Sequence, residues 1–172
     1  MLTKTSISAV RALCYVGLQC TDDAMSPRAI AEYLGESPSY LAKVVRHLVK
    51  AGILRAHRGA AGGVTLARRP AEITLLDVVE ACQGQILPDF CQKTPDIGQT
   101  CAFHQAGAEL HDAITGVLQR WTLAHLLEKP RPSPGLLALG VKCRLLPEPV
   151  SVAAAASPAP NGAPAPATKR EP

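Results

Sequence analysis

The stretch "SPRAIAEYLGESPSYLAKVVRHLVKAG" (residues 26–52) predicts two short helices joined by a tight turn. Each helix begins with a serine that can cap it, Ser26 and Ser37, followed at once by a proline, which suits the first helical position. Gly35 stands where the first helix needs a residue that accepts the left-handed conformation. Only three residues separate the two helical runs, so the stretch predicts a helix-turn-helix.

The next stretch, "ILRAHRGAAGGVTLARRP" (53–70), predicts a β-hairpin, because apolar and polar residues alternate on both sides of a glycine-rich tip. A hairpin that follows a helix-turn-helix is a wing. Helical spacing returns in "ITLLDVVEAC" (73–82), where Thr74 and Asp77 have the spacing of a capping box. The predicted fold class is therefore mainly α with a small β wing, with a winged helix-turn-helix DNA-binding domain over residues 1–82.

Positive charge is concentrated in this domain. The chain carries a formal net charge of +4, and from Lys43 to Arg69 it has seven Lys or Arg and no Asp or Glu, which suits a polyanionic partner. For any one of these residues, solvation of an exposed helix face is the simpler interpretation. The combination of tight turn, wing and one-sign charge favours double-stranded DNA. The residues predicted to contact DNA, at the start of the second helix and in the wing, are Ser39, Tyr40, Lys43, Arg46, Arg58 and Gly59.

The longest predicted helix is "AGAELHDAITGVLQRWTLAHLLE" (106–128), which has a broad apolar face from Leu110 to Leu126. Because the winged domain before it is already complete, we expect a second copy of the chain to cover this face and form a homodimer. Residues 129–172 are predicted to be a Pro/Ala-rich, largely disordered tail. Within it, "LLALGVKCRLL" (136–146) has no assignment.

Other protein classes have little support. Lys4 and Arg11 interrupt the apolar N-terminal stretch, and no window of about eighteen residues is both apolar and uncharged. We therefore expect a cytoplasmic protein with no membrane partner, in which the six cysteines do not form a disulfide scaffold. We find no nucleophile–base pair and no phosphate-binding loop after a strand, so we do not expect an enzyme.

The stretch "DFCQKTPDIGQTCAFHQ" (89–105) places Cys91, Cys101 and His104 immediately before the predicted dimerisation helix. Prolines and a glycine predict a loop here, and we assign residues 83–105 to a cysteine-containing sensor loop. Clustered thiols and an imidazole in a reducing compartment indicate a metal or redox site.

The stretches "LTKTSISAVRAL", "IAEYLGESPSYLAKVVRHLVKAGIL", "RGAAGGVTLARRPAEITLLDVVEACQG" and "CAFH" resemble the Rrf-two (IscR/NsrR-like) family of bacterial winged-helix regulators. The resemblance covers about residues 1–128. It implies a dimeric, sequence-specific transcriptional regulator whose long helix crosses between subunits. It also implies that the wing arginine and the start of the recognition helix contact DNA.

The same resemblance implies that Cys91, Cys101 and His104 hold an iron–sulfur cluster, and we expect a two-iron (2Fe-2S) rather than a four-iron (4Fe-4S) cluster. Sensing members of the family have a third cysteine between these two, but here its position falls in "QKTPDIGQT", which contains none. Imidazole can replace thiolate on iron, as in Rieske centres. The remaining ligand stays open among Asp96, Cys82 and a group from the partner subunit.

Two alternatives stay open. The protein could be a cofactor-free regulator controlled by a protein partner. It could also be a zinc or thiol redox sensor, in which Cys91, Cys101 and His104 hold Zn²⁺ or the two cysteines form a reversible disulfide. The operator, the target genes, the direction of regulation, and the choice among iron, redox and nitric oxide signals are not assigned.

Overall fold

The structure, a computed structural model, describes residues 2–19, 23–59, 62–86, 96–143 and 145–147. Seven α-helices and two strands form in the described residues. They are α1 Lys4–Leu18, α2 Pro27–Leu34, α3 Pro38–Lys50, β1 Leu54–His57, β2 Gly63–Leu66, α4 Leu75–Gln83, α5 Ala102–Arg120, α6 Leu123–Glu128 and α7 Pro134–Ala138. Two short 3-10 helices, Pro70–Glu72 and Ile97–Gln99, precede α4 and α5.

The helix-turn-helix forms from α2 and α3 as predicted. The hydroxyls of Ser26 and Ser37 accept hydrogen bonds from backbone N–H groups in the first turn of their helices, at 3.1 and 3.3 Å. Gly35 ends α2 in the left-handed region, at φ 66°, which a side chain would disfavour. Local capping therefore fixes both ends of the turn that leads into α3.

The wing is confirmed as an antiparallel pair of β1 and β2, in the register Leu54↔Leu66 to His57↔Gly63. Met25 also pairs with β2, since Met25 and Val64 exchange two backbone N–H···O hydrogen bonds of 3.0 and 2.8 Å. A Cβ at Gly63 would lie 2.5 Å from the Met25 backbone, so this close approach requires glycine. The wing is thus attached to the segment before α2.

The core is aliphatic and lies between α1, the helix-turn-helix, the wing and α4. Its largest fully buried side chains include Leu13, Ile30, Leu41, Leu48, Ile53 and Ile73. On α3, Leu41, Val44 and Leu48 face this core, which leaves the opposite side of the helix to solvent. Each such side chain stabilises the domain by about 1.5–3 kcal/mol through burial.

The long helix differs from the predicted range 106–128. It begins at Ala102 and ends at Arg120, and Trp121 is extended, at φ −90° and ψ 121°. The physical reason is competition from α4, because the N–H of Leu75 donates to the Trp121 carbonyl at 2.8 Å. That tertiary hydrogen bond holds the chain in an extended conformation where helical periodicity alone would have continued the helix.

The short helix α6 that follows belongs to the winged domain. The N–H of Leu123 donates to the carbonyl of Ile73 at 2.8 Å, and Thr122 forms an isolated antiparallel bridge with Thr74. The Leu123 side chain is 2% exposed and lies in the domain core. Leu123 therefore does not belong to the apolar face that we expected a partner subunit to cover.

Part of the predicted disordered tail is ordered. Residues 129–143 and 145–147 are described, they include α7, and the Leu146 side chain is 1% exposed within the domain core. Leu145 and Leu146 pack with the domain core, and this packing orders a segment in which we found no helical or strand periodicity. Residues 148–172 lie outside the described part of the chain. No helix in the described ranges is long and apolar enough to cross a membrane.

Candidate DNA interface and cysteine site

The outer face of α3 carries a polar stripe. Ser39, Lys43, Arg46 and Lys50 are exposed and are spaced four, three and four residues apart, which places them on one side of the helix. Three of the four were predicted to contact DNA. Lys50 was not, although the same spacing could have identified it. The stripe begins next to the capped N-terminus of α3 and runs to its last residue.

Tyr40 occupies a different position from the one we expected. Its ring packs against the core, and its hydroxyl oxygen is buried without a hydrogen-bond partner among the residues that the structure describes. The ammonium of Lys4 lies 5.3 Å from the ring centroid, within the range of a cation–π contact. Tyr40 therefore acts as a packing residue at the start of α3 and does not present its hydroxyl to DNA.

The wing tip presents Arg58 and Gly59, two residues predicted to contact DNA, and both are exposed. Gly59 has φ 112°, a value that favours glycine, and its carbonyl accepts the N–H of Gly62 at 2.9 Å to close the turn. Across the hairpin, His57 Nε2 and Thr65 Oγ1 are hydrogen-bonded at 2.9 Å. The sharp turn sets Arg58 at the outer end of β1.

Not all of the positive charge between Lys43 and Arg69 is available. Arg68 forms an ion pair with Asp77 at 3.3 Å, and Arg69 with Glu72 at 2.6 Å. The hydrogen bond from Arg69 holds the pKa of the Glu72 carboxyl below its usual value. The basic side chains of this stretch with no ion pair inside the described ranges are Lys43, Arg46, Lys50, Arg55 and Arg58. Within the described residues from Lys43 to Arg69, the basic side chains without an ion pair thus lie on α3 and in the wing.

Cys101 and His104 occupy the start of α5. Cys101 is the N-cap residue and is exposed, and in the described part of the chain its Sγ makes no capping hydrogen bond. His104 lies in the first helical turn and is half-buried, so it belongs to the helix and not to the predicted loop. Residues three apart on a helix share one side.

Cys91, the third predicted ligand, lies outside the described residues. The described ranges contain no group of three metal-ligating side chains, and a set that includes Cys91 falls outside them.

Asp96, one candidate for the remaining ligand, has a structural role of its own. Its Oδ1 accepts the N–H of Gly98 at 2.9 Å, and its Oδ2 accepts from the Gln99 side chain at 3.0 Å. Gln105 then ties this turn to α5 by donating to the carbonyls of Gly98 and Thr100. Each carboxylate oxygen has more than one lone pair, so Asp96 can hold this turn and still offer a donor atom to a metal.

Cys82, the other candidate on this chain, packs against the core from α4. Burial raises the pKa of its thiol to about 11, which disfavours the thiolate form that binds a metal. Cys14 is fully buried, and its pKa is raised to about 12, first by burial and then by the nearby Cys143. These cysteines are packing residues, in contrast to the exposed Cys101.

Helix α5 also carries an exposed apolar stripe. Phe103, Leu110 and Val117 recur every seven residues, and Trp121 follows one turn after Val117. Their side chains are 79%, 53%, 45% and 49% exposed. None of the nineteen residues of α5 is buried within the single described chain. Among the residues that the structure describes, nothing covers this apolar side, which is typical of a helix that packs against a further element.

The comparison with known proteins agrees with this geometry. The family model Rrf2, described as an iron-dependent transcriptional regulator, matches residues 2–129. The chain belongs to the Rrf2 (Rrf-two) family. The HTH-type transcriptional regulator NsrR of Geobacillus kaustophilus is 32% identical over 135 residues, which cover 74% of this chain and 89% of the relative. The predicted family is therefore confirmed.

Two solved structures of the family resemble the fold at 25% identity. CymR, the global cysteine regulator of Bacillus subtilis, superposes with a TM-score of 0.62 over 74% of this chain and 96% of its own. IscR of T. potens superposes with a TM-score of 0.63 over 80% of this chain and 96% of its own. The winged-helix fold class is confirmed, and so is the expectation of a transcriptional regulator that is not an enzyme.

Proposed function

We propose that this Rrf2-family regulator binds double-stranded operator DNA as a homodimer, and that an iron–sulfur cluster on Cys91, Cys101 and His104 controls its affinity. One observation carries the proposal. Cys101 is the N-cap of α5 and His104 lies in its first turn, and among the described residues nothing covers the apolar stripe of this same helix. Binding or loss of a cluster at Cys101 and His104 would therefore act directly on α5, the helix expected to join the subunits.

DNA contact is assigned to the two unneutralised basic surfaces. Helix α3 enters the major groove with the stripe of Ser39, Lys43, Arg46 and Lys50 toward bases and phosphates. Arg58 at the wing tip is placed to reach an adjacent minor groove, where a positive side chain favours narrow A·T-rich sequence. Lys43, Arg46 and Arg58 form no ion pair in the described residues, so their charge is available to phosphate.

The homodimer is assigned to α5. Apolar side chains at seven-residue intervals form the seam of a helix pair, and a second copy offers the same seam. Two copies held through α5 present two recognition helices, whose separation sets the half-site spacing that the dimer accepts. The orientation of α5 relative to the winged domain is consequently a determinant of affinity.

The donor set fits a two-iron cluster better than a four-iron one. Cys101 supplies an exposed sulfur that is not engaged in capping, and the imidazole of His104 follows on the same side of the helix. With Cys91 they make three donors, and Asp96 or a group of the partner subunit supplies the fourth. When bound, such a cluster supplies one-electron redox chemistry and sensitivity to oxidants and nitric oxide.

The cluster can control DNA affinity because its ligands lie at the connection between α4 and α5. The segment between α4 and α5 contains Cys91, so binding Cys91 together with Cys101 constrains the connection between the winged domain and the dimerisation helix. A ligand that favours one arrangement over another shifts the population of the two, and DNA must then alter retention of that ligand by the same factor.

A thiol switch is the second candidate. The exposed Cys101 favours it, as does the likeness to CymR, a global cysteine regulator. In this version Cys91 and Cys101 lose two electrons and two protons to an oxidant such as a small disulfide and become joined by a sulfur–sulfur bond. Zinc bound by Cys91, Cys101 and His104 would be the redox-inert version of the same site.

Iron and acid-labile sulfide analysis of anaerobically purified protein separates these candidates. We expect both elements, with visible absorbance that is lost in Cys91→Ala and Cys101→Ala and shifted in His104→Ala. Cys82→Ala is the matched control, because its thiol packs against the core, and it should keep the parent's iron content. A colourless protein that contains zinc, or cysteine variants with full iron and sulfide, would contradict the cluster assignment.

A further inference from the structure

The C-terminal segment from residue 129 to 147, which we call the strap, begins at the last residue of the family match (2–129) and forms part of the winged domain. Leu146 is 1% exposed in the core, and Cys143 and Leu145 pack against the same core. The Cys143 sulfur accepts the N–H of Leu146 at 3.4 Å and donates to the Pro130 carbonyl at 3.7 Å. These contacts draw the two ends of the strap together.

The strap also contacts α2, the first helix of the helix-turn-helix. The Arg131 guanidinium donates to the hydroxyl of Tyr33 at 3.2 Å. The Tyr33 ring in turn stacks on Tyr15 of α1, with ring centroids 3.9 Å apart and planes inclined by 15°. The strap therefore lies against α2, whose Tyr33 packs on α1.

Arg11 joins the strap to the turn of the helix-turn-helix. Its Nε donates to the strap carbonyl of Leu145 at 3.0 Å, its Nη1 to Glu36 Oε1 at 2.7 Å, and its Nη2 to the Leu34 carbonyl at 3.0 Å. The side chains of Arg11 and Glu36 are only 19% and 10% exposed. One rigid guanidinium thus connects three segments, and each of its three bonds restricts the direction of the other two.

Glu36 connects the Arg11 junction to the start of α3. It lies in the turn between α2 and α3, directly before Ser37, whose side chain caps α3. Its Oε1 also accepts the Ser8 hydroxyl at 2.8 Å, and its Oε2 is buried without a partner in the described ranges. A buried carboxylate with one unsatisfied oxygen depends on its cation, so displacement of Arg11 destabilises the turn.

We propose that the strap is a positioning element for DNA reading and that Arg11 is the positioning residue through which it acts. The Leu145 carbonyl fixes the guanidinium, the guanidinium fixes Glu36, and the turn at Glu36 sets where α3 begins. The proposal rests on DNA binding by α3. A change that detaches the strap from the core therefore lowers operator affinity without a direct effect on the DNA contacts or on the cysteine site.

Two leucines of the strap provide the variant and its control. Leu146→Ala removes a core anchor that is 1% exposed, whereas Leu139→Ala changes a side chain that is 81% exposed. Hydrogen exchange is followed at the Glu36 amide, which donates to the Ala31 carbonyl at 2.9 Å. We expect Leu146→Ala to exchange faster there and to bind operator about tenfold more weakly, as for one lost buried hydrogen-bond partner. Leu139→Ala should match the parent.

Arg11→Lys tests whether the strap acts on Glu36 through the Arg11 guanidinium. If Leu146→Ala fails to fold, this variant is sufficient by itself to test the proposal. Lysine keeps the charge beside Glu36 but cannot hold three acceptors in a fixed fork. We expect the same faster exchange at Glu36, and a double variant no worse than the stronger single one, because both act through one guanidinium. Parent-like exchange in Arg11→Lys, or additive effects, would overturn the strap proposal. A parent that binds no DNA would overturn the proposed function, whereas the exchange results would still test the strap.

Discussion

Cys101 caps the N-terminus of α5 and His104 follows three residues later in the first turn of this helix, none of whose nineteen residues is buried in the described chain. Because the helix is rigid, these two side chains are held on the element expected to pair with a second copy. In the proposed function, sensing and assembly therefore share one structural element.

The wing prediction compares two arginines. Arg58 forms no ion pair among the described residues, whereas Arg69, also exposed, is paired with Glu72. Arg58→Ala should weaken operator binding and reduce the slope of log affinity against log salt by about 1, because one phosphate contact is lost. Arg69→Ala should change both much less. Equal salt slopes for Arg58→Ala and the parent would show that the wing does not contact phosphate.

Tyr40 was predicted to contact DNA, and the burial of its hydroxyl makes that prediction testable. Its hydroxyl is buried without a partner in the described structure. Tyr40→Phe removes that unsatisfied group, so we expect unchanged operator affinity and a free energy of unfolding that is unchanged or about 1 kcal/mol higher. Titration with operator DNA and thermal unfolding measure the two quantities. Weaker DNA binding with unchanged stability would restore Tyr40 as a contact residue.

Assembly depends on the apolar stripe of α5. Leu110, 53% exposed, lies in the middle of the stripe, and Leu110→Asp would bury a charge in the seam. We expect a monomer by light scattering and loss of operator binding. Leu139→Asp, at an 81% exposed leucine of the strap, is the control and should remain dimeric. Leu118, which we placed on the same face from sequence, is half-buried and should respond in the same direction.

Alkaline pH should destabilise the protein through Cys14. Burial and then Cys143 raise the pKa of its thiol from 9.0 to about 12 in the folded state. The stabilisation is therefore complete below pH 9 and is lost as pH rises toward about 12, by at most about 1.4 kcal/mol per pH unit. Denaturant unfolding of Cys14→Ala should show a flatter profile above pH 9 than the parent does. Parallel profiles would remove Cys14 as the cause.

The winged domain could be predicted from sequence because its signals are local. Ser26, Ser37 and Gly35 fix helix ends by contacts within a few residues, and the glycines of the wing do the same for the hairpin. The stripe on α3 follows directly from helical spacing, although Lys50 was omitted from it. The packing of the Tyr40 ring against the core was not predicted, because residue type and position in the helix do not reveal which way a ring packs.

The elements missed by sequence reasoning depend on distant contacts. Backbone hydrogen bonds from Leu75 to Trp121 and from Leu123 to Ile73 end α5 and return α6 to the core. The burial of Leu146 orders a strap that has no helical or strand period. In the cysteine segment, spacing identified Cys101 and His104 as neighbours but could not show that the helix begins before His104.

Operator affinity of anaerobic protein, measured before and after removal of iron by a chelator, tests the central claim most directly. If Cys91, Cys101 and His104 hold a cluster that controls DNA binding, iron removal should change the affinity of the parent. Cys101→Ala should show the chelated parent's affinity from the outset and not respond to chelator, while remaining a dimer. An affinity that is the same for parent, chelated parent and Cys101→Ala would contradict control by the cluster.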